Sequence, residues 1–243
     1  MNLTLTDKTV LVTGANRGIG QALVQEALRR GAGHVYAAAR QRVVHTDERV
    51  APVLLDITDR AQIDTAAQEI SRLDLLVNNA GIGRYDDLSD RAALEEHLAV
   101  NLFGPYDVIH AFLPALTAAG GAVVNLLSIA SLAALPIIPS YSVSKAAAFS
   151  LTQNLRPLLA AHGVSIHGVL VGPTDTEMSR GFEVPKVSPE HAANAIFDGV
   201  EAGSDEIFPH PMLEAAAESW KAGEIKSLER QFATFVEQGA IAS

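Results

Sequence analysis

The sequence predicts a doubly wound α/β fold, in which helices cover both faces of a parallel sheet of about seven strands. First, short apolar runs alternate along the chain with longer helical patterns, which is the order of repeated strand–helix–strand units. Second, most of these runs are apolar nearly throughout, as strands buried on both faces should be. The predicted strands cover residues 9–13, 34–39, 50–55, 73–77, 122–127, 165–171 and 205–208.

The helical patterns between these runs complete the alternation. The predicted helices cover residues 21–30, 59–72, 94–116 and 144–162. Ser188, Pro189 and Glu190 read as an N-cap, a first-turn proline and an acidic first turn, which predicts a later helix. The segment 212–242 is mixed helical and amphipathic, and we expect it to form a pocket lid or an oligomer contact. Because no repeat or linker divides the chain, we expect residues 1–243 to form a single domain.

The composition argues against several functional classes. The formal net charge is -10, and an acidic protein is a poor partner for phosphate backbones, so we expect no nucleic-acid binding. The chain has no cysteine, which removes disulfides and thiolate chemistry. His167, His191 and His210 do not have a metal-ligand spacing, so no metal site is predicted. The N-terminus lacks a signal-peptide core and no apolar run approaches the roughly 20 residues that span a bilayer, so we expect a cytoplasmic protein without a membrane partner.

The first predicted strand leads into a glycine-rich turn, TGANRGIG at residues 13–20, which is followed at once by a helix. Glycines permit a tight turn and let the backbone approach a pyrophosphate. The start of the following helix presents unpaired N–H groups and a positive dipole end to the anion. This arrangement predicts a dinucleotide site, and the alternative is an ordinary strand-to-helix turn.

The charge near the adenosine ribose distinguishes the two nicotinamide dinucleotides. NAD-binding proteins usually have an acidic residue at the end of the second strand, but this strand is followed by Arg40. Arg40 could contact a 2′-phosphate, with Arg17 as a second cation and Arg42 as a weaker candidate. The alternative is that these arginines are solvated surface residues. We therefore predict NADP(H) rather than NAD(H).

Ser128, Tyr141 and Lys145 form a candidate catalytic group. Ser128 follows the fifth predicted strand, at the carboxyl edge where ligands bind in such sheets. Tyr141 and Lys145 are four residues apart, which places them on one face of a helix. A nearby ammonium lowers the pKa of a tyrosine, and a serine hydroxyl can donate to a carbonyl oxygen that gains negative charge. The alternatives are a turn serine, a core tyrosine and a solvated lysine.

Over essentially its whole length, the sequence resembles the short-chain dehydrogenase/reductase family. The matching residues are Thr13-Gly14-x-x-x-Gly18-Ile19-Gly20, Asp56, Asn78-Asn79-Ala80-Gly81, Asn101, Ser128 and Tyr141-x-x-x-Lys145. The resemblance implies a Rossmann fold with strand order 3-2-1-4-5-6-7. It also implies an NADP(H)-dependent alcohol dehydrogenase or carbonyl reductase, in which hydride transfer interconverts ketones and secondary alcohols.

The resemblance also implies a role for each matching residue. Tyr141 would be the general acid in reduction and the base in oxidation, Lys145 would also hold the nicotinamide ribose, and Ser128 would orient the substrate oxygen. Asp56 would contact the adenine amine, and Asn78 would be more structural than its neighbours. The predicted catalytic residues are Asn101, Ser128, Tyr141 and Lys145. The predicted cofactor-binding residues are Gly14, Asn16, Arg17, Gly18, Ile19, Gly20, Arg40, Asp56, Ile57, Asn79, Ala80, Gly81, Tyr141, Lys145, Gly172, Thr174 and Thr176.

Asn101 and Pro105 permit a separate prediction. In the family this asparagine lies at a helix kink, where its backbone carbonyl holds a water that links Lys145 to solvent. A helical proline cannot donate to the carbonyl four residues before it, and its ring displaces that carbonyl. Here that carbonyl belongs to Asn101. We therefore expect the Asn101 carbonyl to lack a helical partner and to bind water.

One motif departs from the family. Residues 171–176 read VGPTDT, where the family has Pro-Gly-x-Val-x-Thr. Gly172 and Thr176 are retained, while the first proline is lost and Pro173 appears after the glycine. The resemblance implies that this backbone meets the nicotinamide carboxamide, and the altered prolines leave its path open.

The predicted substrate is an apolar ketone or secondary alcohol. The segments 82–85, 129–138 and 178–187 are the candidate pocket walls, and they carry no cluster of cations. The short interval between Met178 and Ser188 predicts an open pocket that accepts bulky ketones. The alternative is that these apolar residues belong to the core. They are Ile82, Tyr85, Leu132, Leu135, Ile137, Ile138, Met178, Phe182 and Val184.

The assembly and two other functions are expectations from the resemblance alone. The family implies a homotetramer or homodimer, with helix-pair contacts through residues 94–116 and 152–156. A dehydrating or isomerising relative on the same scaffold is one alternative function. A non-catalytic NADP(H)-binding sensor is another, although such proteins typically lose the tyrosine or the lysine.

Overall fold

The sheet has the predicted number, direction and order of strands. The computed structural model describes residues 3–237. Its seven strands are all parallel and lie in the order β3-β2-β1-β4-β5-β6-β7. The strands are β1 (Thr9–Thr13), β2 (His34–Ala39), β3 (Val50–Leu54), β4 (Leu75–Asn78), β5 (Ala122–Leu126), β6 (Ser165–Val169) and β7 (Glu206–Ile207).

The helices form a layer on each face of this sheet. The α-helices are α1 (Gly18–Arg29), α2 (Arg60–Glu69), α3 (Arg91–Leu98), α4 (Gly104–Ala119), α5 (Pro139–Ala160), α6 (Pro189–Glu201), α7 (Glu214–Ala222) and α8 (Glu224–Glu237). Helices α1 and α6 pack on one face, and α2, α4 and α5 pack on the other. The predicted N-cap of α6 is confirmed, because the Ser188 hydroxyl accepts from the His191 N–H.

The predicted long helix over 94–116 is wrong as a single element. It is divided into α3 and α4 by one turn of π-helix, Ala99–Phe103, in which the Gly104 N–H donates to the Ala99 carbonyl. Pro105 has no N–H for the carbonyl of Asn101, so a regular α-helical turn cannot close there. The expected kink therefore takes the form of a π-helical turn, which is wider than an α-helical turn.

The C-terminal helices pack on the domain through charged side chains. The buried ammonium of Lys226 donates to Glu206 at 2.8 Å and to Glu229 at 3.0 Å. Arg156 of α5 also binds Glu206, at 2.8 Å, and Glu229. Helix α8 is therefore fastened to β7 and α5.

Residues 152–156, for which the resemblance implies a subunit contact, also make contacts within the chain, and the subunit contact stays a prediction. The buried Thr152 hydroxyl donates to the Ala148 carbonyl and accepts from Asn125, and Gln153 binds Glu229 of α8. These side chains are engaged within the chain. Across the part of the chain that the structure describes, no helix is long and apolar enough to cross a membrane.

Candidate active site

The glycine turn is shaped by contacts that leave no room for side chains. Gly14 and Gly18 have φ angles of 65° and 54°, a region that glycine tolerates best. A Cβ on Gly14 would lie 2.9 Å from the Ala80 Cα, and a Cβ on Gly20 would lie 2.1 Å from the Gly14 carbonyl oxygen. The turn is thus pressed against the residues that follow β4.

The helix that follows this turn can receive an anion. Helix α1 begins at Gly18, its N-cap residue Arg17 makes no side-chain capping bond, and its first turn carries no acidic residue. The first N–H groups of a helix have no intrahelical partners and carry the positive end of its dipole. This end of α1 therefore suits a pyrophosphate.

Two side chains hold the turn against the end of β4. The Thr13 hydroxyl accepts from the N–H groups of Asn79 and Ala80, at 3.0 and 3.1 Å. The Asn79 amide donates to the carbonyls of Thr13 and Gly14, at 2.8 and 3.1 Å. The amide group of Asn79 braces the glycine turn, and its predicted contact with the cofactor stays a prediction. Asn78 is structural, since its amide donates to Asn125 at 2.9 Å.

Asp56 and Ile57, which follow β3, have side chains in different environments. The half-buried Asp56 accepts the N–H and hydroxyl of Thr58 at 2.9 and 2.7 Å. The Ile57 side chain points into the core, where a Cβ on Gly104 would lie 2.8 Å from it. Ile57 was predicted as a cofactor contact, and its side chain is occupied by packing against α4.

The three candidate arginines occupy different environments. Arg17 forms an ion pair with Glu177, across the mouth between the glycine turn and the loop after β6. Arg40 is exposed. Arg42 lines a cavity of about 260 Å³ between the glycine turn and the loop after β2. The other residues of this cavity are Ala15, Asn16, Gln21, Val24, Gln25, Gln41, Val43, Val44 and His45.

Sequence reasoning missed the polar side chains that line this cavity. His45 Nδ1 accepts from the Asp47 N–H at 3.0 Å, and its Nε2 lies 3.0 Å from the Gln25 amide. No sequence signal fixes the path of the 41–45 loop, so Gln41, Gln25 and His45 were not predicted.

The three residues of the candidate catalytic group converge at the carboxyl edge of the sheet. Ser128 lies two residues beyond β5, and its hydroxyl accepts from the Ala130 N–H at 3.1 Å. Tyr141 and Lys145 lie in the first two turns of α5. The Lys145 ammonium lies 5.8 Å from the centre of the Tyr141 ring and donates to the Leu126 carbonyl at 2.7 Å.

The electrostatics of this group differ from the expectation. Burial raises the pKa of Tyr141 above its usual value, and a hydrogen bond from Ser128 partly opposes the rise. Burial lowers the pKa of Lys145 to about 8. The expected net lowering of the Tyr141 pKa is therefore corrected, because burial outweighs the interactions that favour the phenolate. Tyr141 retains its proton at neutral pH.

Asn101 connects the site through its side chain. Its Oδ1 accepts from the Ile82 N–H, and its Nδ2 donates to the Ile82 carbonyl and to the Ser144 hydroxyl, each at 2.9 Å. A Cβ on Gly81 would lie 3.1 Å from Asn101 Oδ1 and 3.6 Å from Lys145 Nζ. Asn101 thereby fastens the loop after β4 to α5. The binding of water by its backbone carbonyl stays a prediction.

The loop after β6 retains its glycine for a reason visible only in three dimensions. A Cβ on Gly172 would lie 2.9 Å from Cβ and Cγ of His210, a buried residue beyond β7. The Thr174 hydroxyl donates to the Gly172 carbonyl at 3.2 Å. Thr176 reaches the glycine turn, since a Cβ on Gly18 would lie 3.2 Å from its methyl carbon. The loop thus faces the candidate cofactor site despite its altered prolines.

The candidate pocket walls face solvent rather than the core. Six of the nine predicted apolar residues are between 37% and 62% exposed, which excludes the core alternative for them. Tyr85 and Phe182 stack across the pocket, with ring centres 5.6 Å apart. A Cβ on Gly83 would lie 3.2 Å from the Tyr141 ring and 3.3 Å from the Met178 sulfur. The six exposed residues are Tyr85, Leu132, Leu135, Ile137, Met178 and Val184.

The architecture and these motifs agree with comparisons to known proteins. The family model for short chain dehydrogenases matches residues 8–185. The chain belongs to the short-chain dehydrogenase family. This short-chain dehydrogenase is 32% identical over 242 residues to the short chain dehydrogenase tazN of Aspergillus terreus, covering 91% of this chain and 52% of that protein. It is 39% identical over 186 residues to the short-chain dehydrogenase PC-15 of Penicillium crustosum, covering 70% of this chain and 66% of that protein.

A solved structure is similar over nearly the full length. It is a short chain dehydrogenase from Burkholderia cenocepacia in complex with NADP, with a TM-score of 0.86 and 38% identity. The match covers 94% of this short-chain dehydrogenase and 98% of that chain. The two fungal relatives are longer, and this chain spans between about half and two thirds of their lengths.

Proposed function

We propose that this protein is an NADP(H)-dependent oxidoreductase that interconverts ketones and secondary alcohols. The observation that carries the proposal is the convergence of Tyr141, Lys145 and the Ser128 hydroxyl at the carboxyl edge of the sheet, beside an anion-binding helix N-terminus. The similar Burkholderia protein, whose structure contains NADP, supports the choice of cofactor.

The residues present fit a dinucleotide. The open first turn of α1 would hold the pyrophosphate, and Asp56 would meet the adenine. Arg42, with Arg40 beside it in sequence, would meet a 2′-phosphate at the 260 Å³ cavity, where no acidic side chain is among the lining residues. When bound, the nicotinamide supplies or accepts the hydride.

The protein's own residues would supply hydrogen bonds and the proton. Ser128 would donate to the carbonyl oxygen of the substrate as negative charge develops on it. In reduction, the Tyr141 hydroxyl would give its proton to that oxygen, and the phenolate left behind would be stabilised by the Lys145 ammonium. The raised pKa of Tyr141 keeps it in the protonated form that ketone reduction requires at neutral pH.

The pocket walls indicate an apolar substrate. The exposed side chains of Leu132, Leu135 and Ile137 lie on the segment between Ser128 and α5, and those of Met178 and Val184 lie on the loop after β6. Such a wall favours a bulky apolar ketone over a phosphorylated or acidic substrate.

Steady-state oxidation of NADPH and NADH against a panel of small and bulky ketones tests the proposal. We expect turnover with NADPH and higher kcat/KM for bulky apolar ketones. Tyr141→Phe should lower kcat at least a hundredfold while NADPH affinity, measured by fluorescence titration, is kept. Tyr106→Phe, on the half-exposed surface of α4, is the matched control and should behave as the wild type. Near-full activity of Tyr141→Phe would show that another group provides the proton.

A further inference from the structure

The helix that carries the catalytic tyrosine has no N-terminal cap of its own. Helices α2, α3 and α6 are each capped by the side chain of the preceding residue, namely Asp59, Asp90 and Ser188. The corresponding residue before α5 is Ile138, which makes no side-chain capping bond. Pro139 occupies the first helical position and needs no partner for a backbone N–H. The next N–H, that of Ser140, therefore requires an acceptor from elsewhere.

That acceptor comes from a distant loop. The Asp86 carboxylate accepts the Ser140 hydroxyl at 2.8 Å and the Ser140 N–H at 3.3 and 3.4 Å. Ser140 is completely buried. A carboxylate at this position also interacts favourably with the positive end of the helix dipole. Asp86 is thus a cap supplied from a position 54 residues earlier in the chain.

The loop that carries Asp86 is held at two further points. The Asn101 side chain bonds both the N–H and the carbonyl of Ile82. The buried His97 ring accepts the Arg84 N–H at 3.3 Å. Between these points, Gly83 lies against the Tyr141 ring. The loop is therefore a fixed support, and its last anchor reaches the residue immediately before Tyr141.

We propose that Asp86 is a positioning residue for Tyr141. It fastens the first turn of α5 to the loop beneath the tyrosine ring, and so sets the place of the phenolic hydroxyl relative to Ser128. The inference rests on the proposed function, in which that hydroxyl transfers the proton. A displacement of about 1 Å at a reacting group can cost on the order of a hundredfold in rate.

Asp86→Ala and Asp86→Asn form the first comparison. Asp86→Ala should lower kcat ten- to a hundredfold, with a change of less than about threefold in NADPH affinity measured by fluorescence titration. Asp86→Asn keeps an oxygen that can accept from Ser140, so it should recover most of the lost kcat. Asp90→Ala is the matched control, because it removes an aspartate cap from α3 and touches neither Ser140 nor Tyr141. Its kcat should remain that of the wild type.

A double-mutant cycle tests whether Asp86 acts through Ser140. Ser140→Ala removes the hydroxyl that makes the shortest of the contacts with Asp86. The double variant should lose less activity than the product of the two single losses, since both changes break the same contact. Equal loss of kcat in Asp86→Ala and Asp90→Ala would overturn the inference. So would a fully multiplicative cycle.

Hydrogen exchange measured by mass spectrometry supplies a readout that is independent of turnover. Peptides from the start of α5 should exchange faster in Asp86→Ala than in the wild type or in Asp90→Ala, because the Ser140 N–H has lost its acceptor. If the wild type reduces no ketone, the proposed function fails. The exchange measurement then tests by itself whether Asp86 anchors the start of α5. Unchanged exchange at the start of α5 would overturn it in either case.

Discussion

Replacing Lys145 with methionine should separate the effect of this residue on the stability of the fold from its role in the proposed reaction. Lys145 is 6% exposed, and its burial lowers its pKa from 10.5 to about 8. A difference of this size corresponds to about 3 kcal/mol of free energy that the folded state loses at neutral pH by holding a buried ammonium. Methionine fills a similar volume without the charge, but it leaves the Leu126 carbonyl without its donor, at a cost of about 1–3 kcal/mol.

The two terms nearly cancel at pH 7, so the dependence on pH is the informative quantity. The folded state binds the Lys145 proton less tightly than the unfolded state does. The wild type therefore gains stability as the pH rises from about 8 toward 10.5, while the variant lacks this gain. Between pH 7 and pH 9.5, the wild type should gain about 2 kcal/mol relative to Lys145→Met.

Urea unfolding at the two pH values, followed by the fluorescence of the single tryptophan Trp220, measures this difference. Lys186→Met is the matched control, because the half-buried Lys186 also donates to a backbone carbonyl, that of Ser179 at 2.8 Å. The difference in unfolding free energy between Lys186→Met and the wild type should change far less with pH. The reasoning about Lys145 would be refuted if its variant differed from the wild type by the same free energy at both pH values. Lys145→Met should also lose reductase activity in every case.

Three further predictions concern cofactor choice, the loop after β6 and the C-terminal helices. Arg40→Asp should shift the ratio of NADPH to NADH affinity toward NADH, because it removes a cation and provides an acid for the ribose. An unchanged ratio in fluorescence titration would exclude Arg40 as the residue that binds the phosphate. Gly172→Ala should lose about 1–3 kcal/mol of unfolding free energy, measured with urea, since its methyl group would lie 2.9 Å from His210. A variant as stable as the wild type would contradict this contact. Lys226→Met should lose about 3 kcal/mol of unfolding free energy, because it leaves the buried Glu206 with one cation fewer. An unchanged unfolding free energy would show that the charge cluster does not hold α8.

The elements that the sequence predicted well are those with local causes. The apolar strands and the glycine turn follow from side-chain burial and from the freedom of glycine at residues such as Gly14 and Gly18. The pairing of Tyr141 with Lys145 follows from the four-residue spacing of a helix. The break near Asn101 was expected from Pro105, although its form as a π-helical turn was not.

The contacts that the sequence did not predict join distant parts of the chain. Arg17 forms an ion pair with Glu177, Asn79 braces the glycine turn, and Lys145 gives its ammonium to the Leu126 carbonyl. Each of these residues was also assigned to the cofactor site, and that assignment stays a prediction. In each case the folded chain places another partner within reach, and a sequence pattern contains no information about that partner.

The sequence by itself determined the apolar strands, the glycine turn and the helix face shared by Tyr141 and Lys145, whereas the order of the strands was implied by the resemblance to the family. The strands, the turn and the helix face depend on apolar periodicity, glycine and short-range spacing, which are properties of neighbouring residues. The tertiary structure alone decided how the site is supported, with Asp86 capping α5, His210 packed on Gly172 and α8 fastened to Arg156. These contacts join residues far apart in the chain, and they form only when loops without a strong local preference have been fixed by the packing around them.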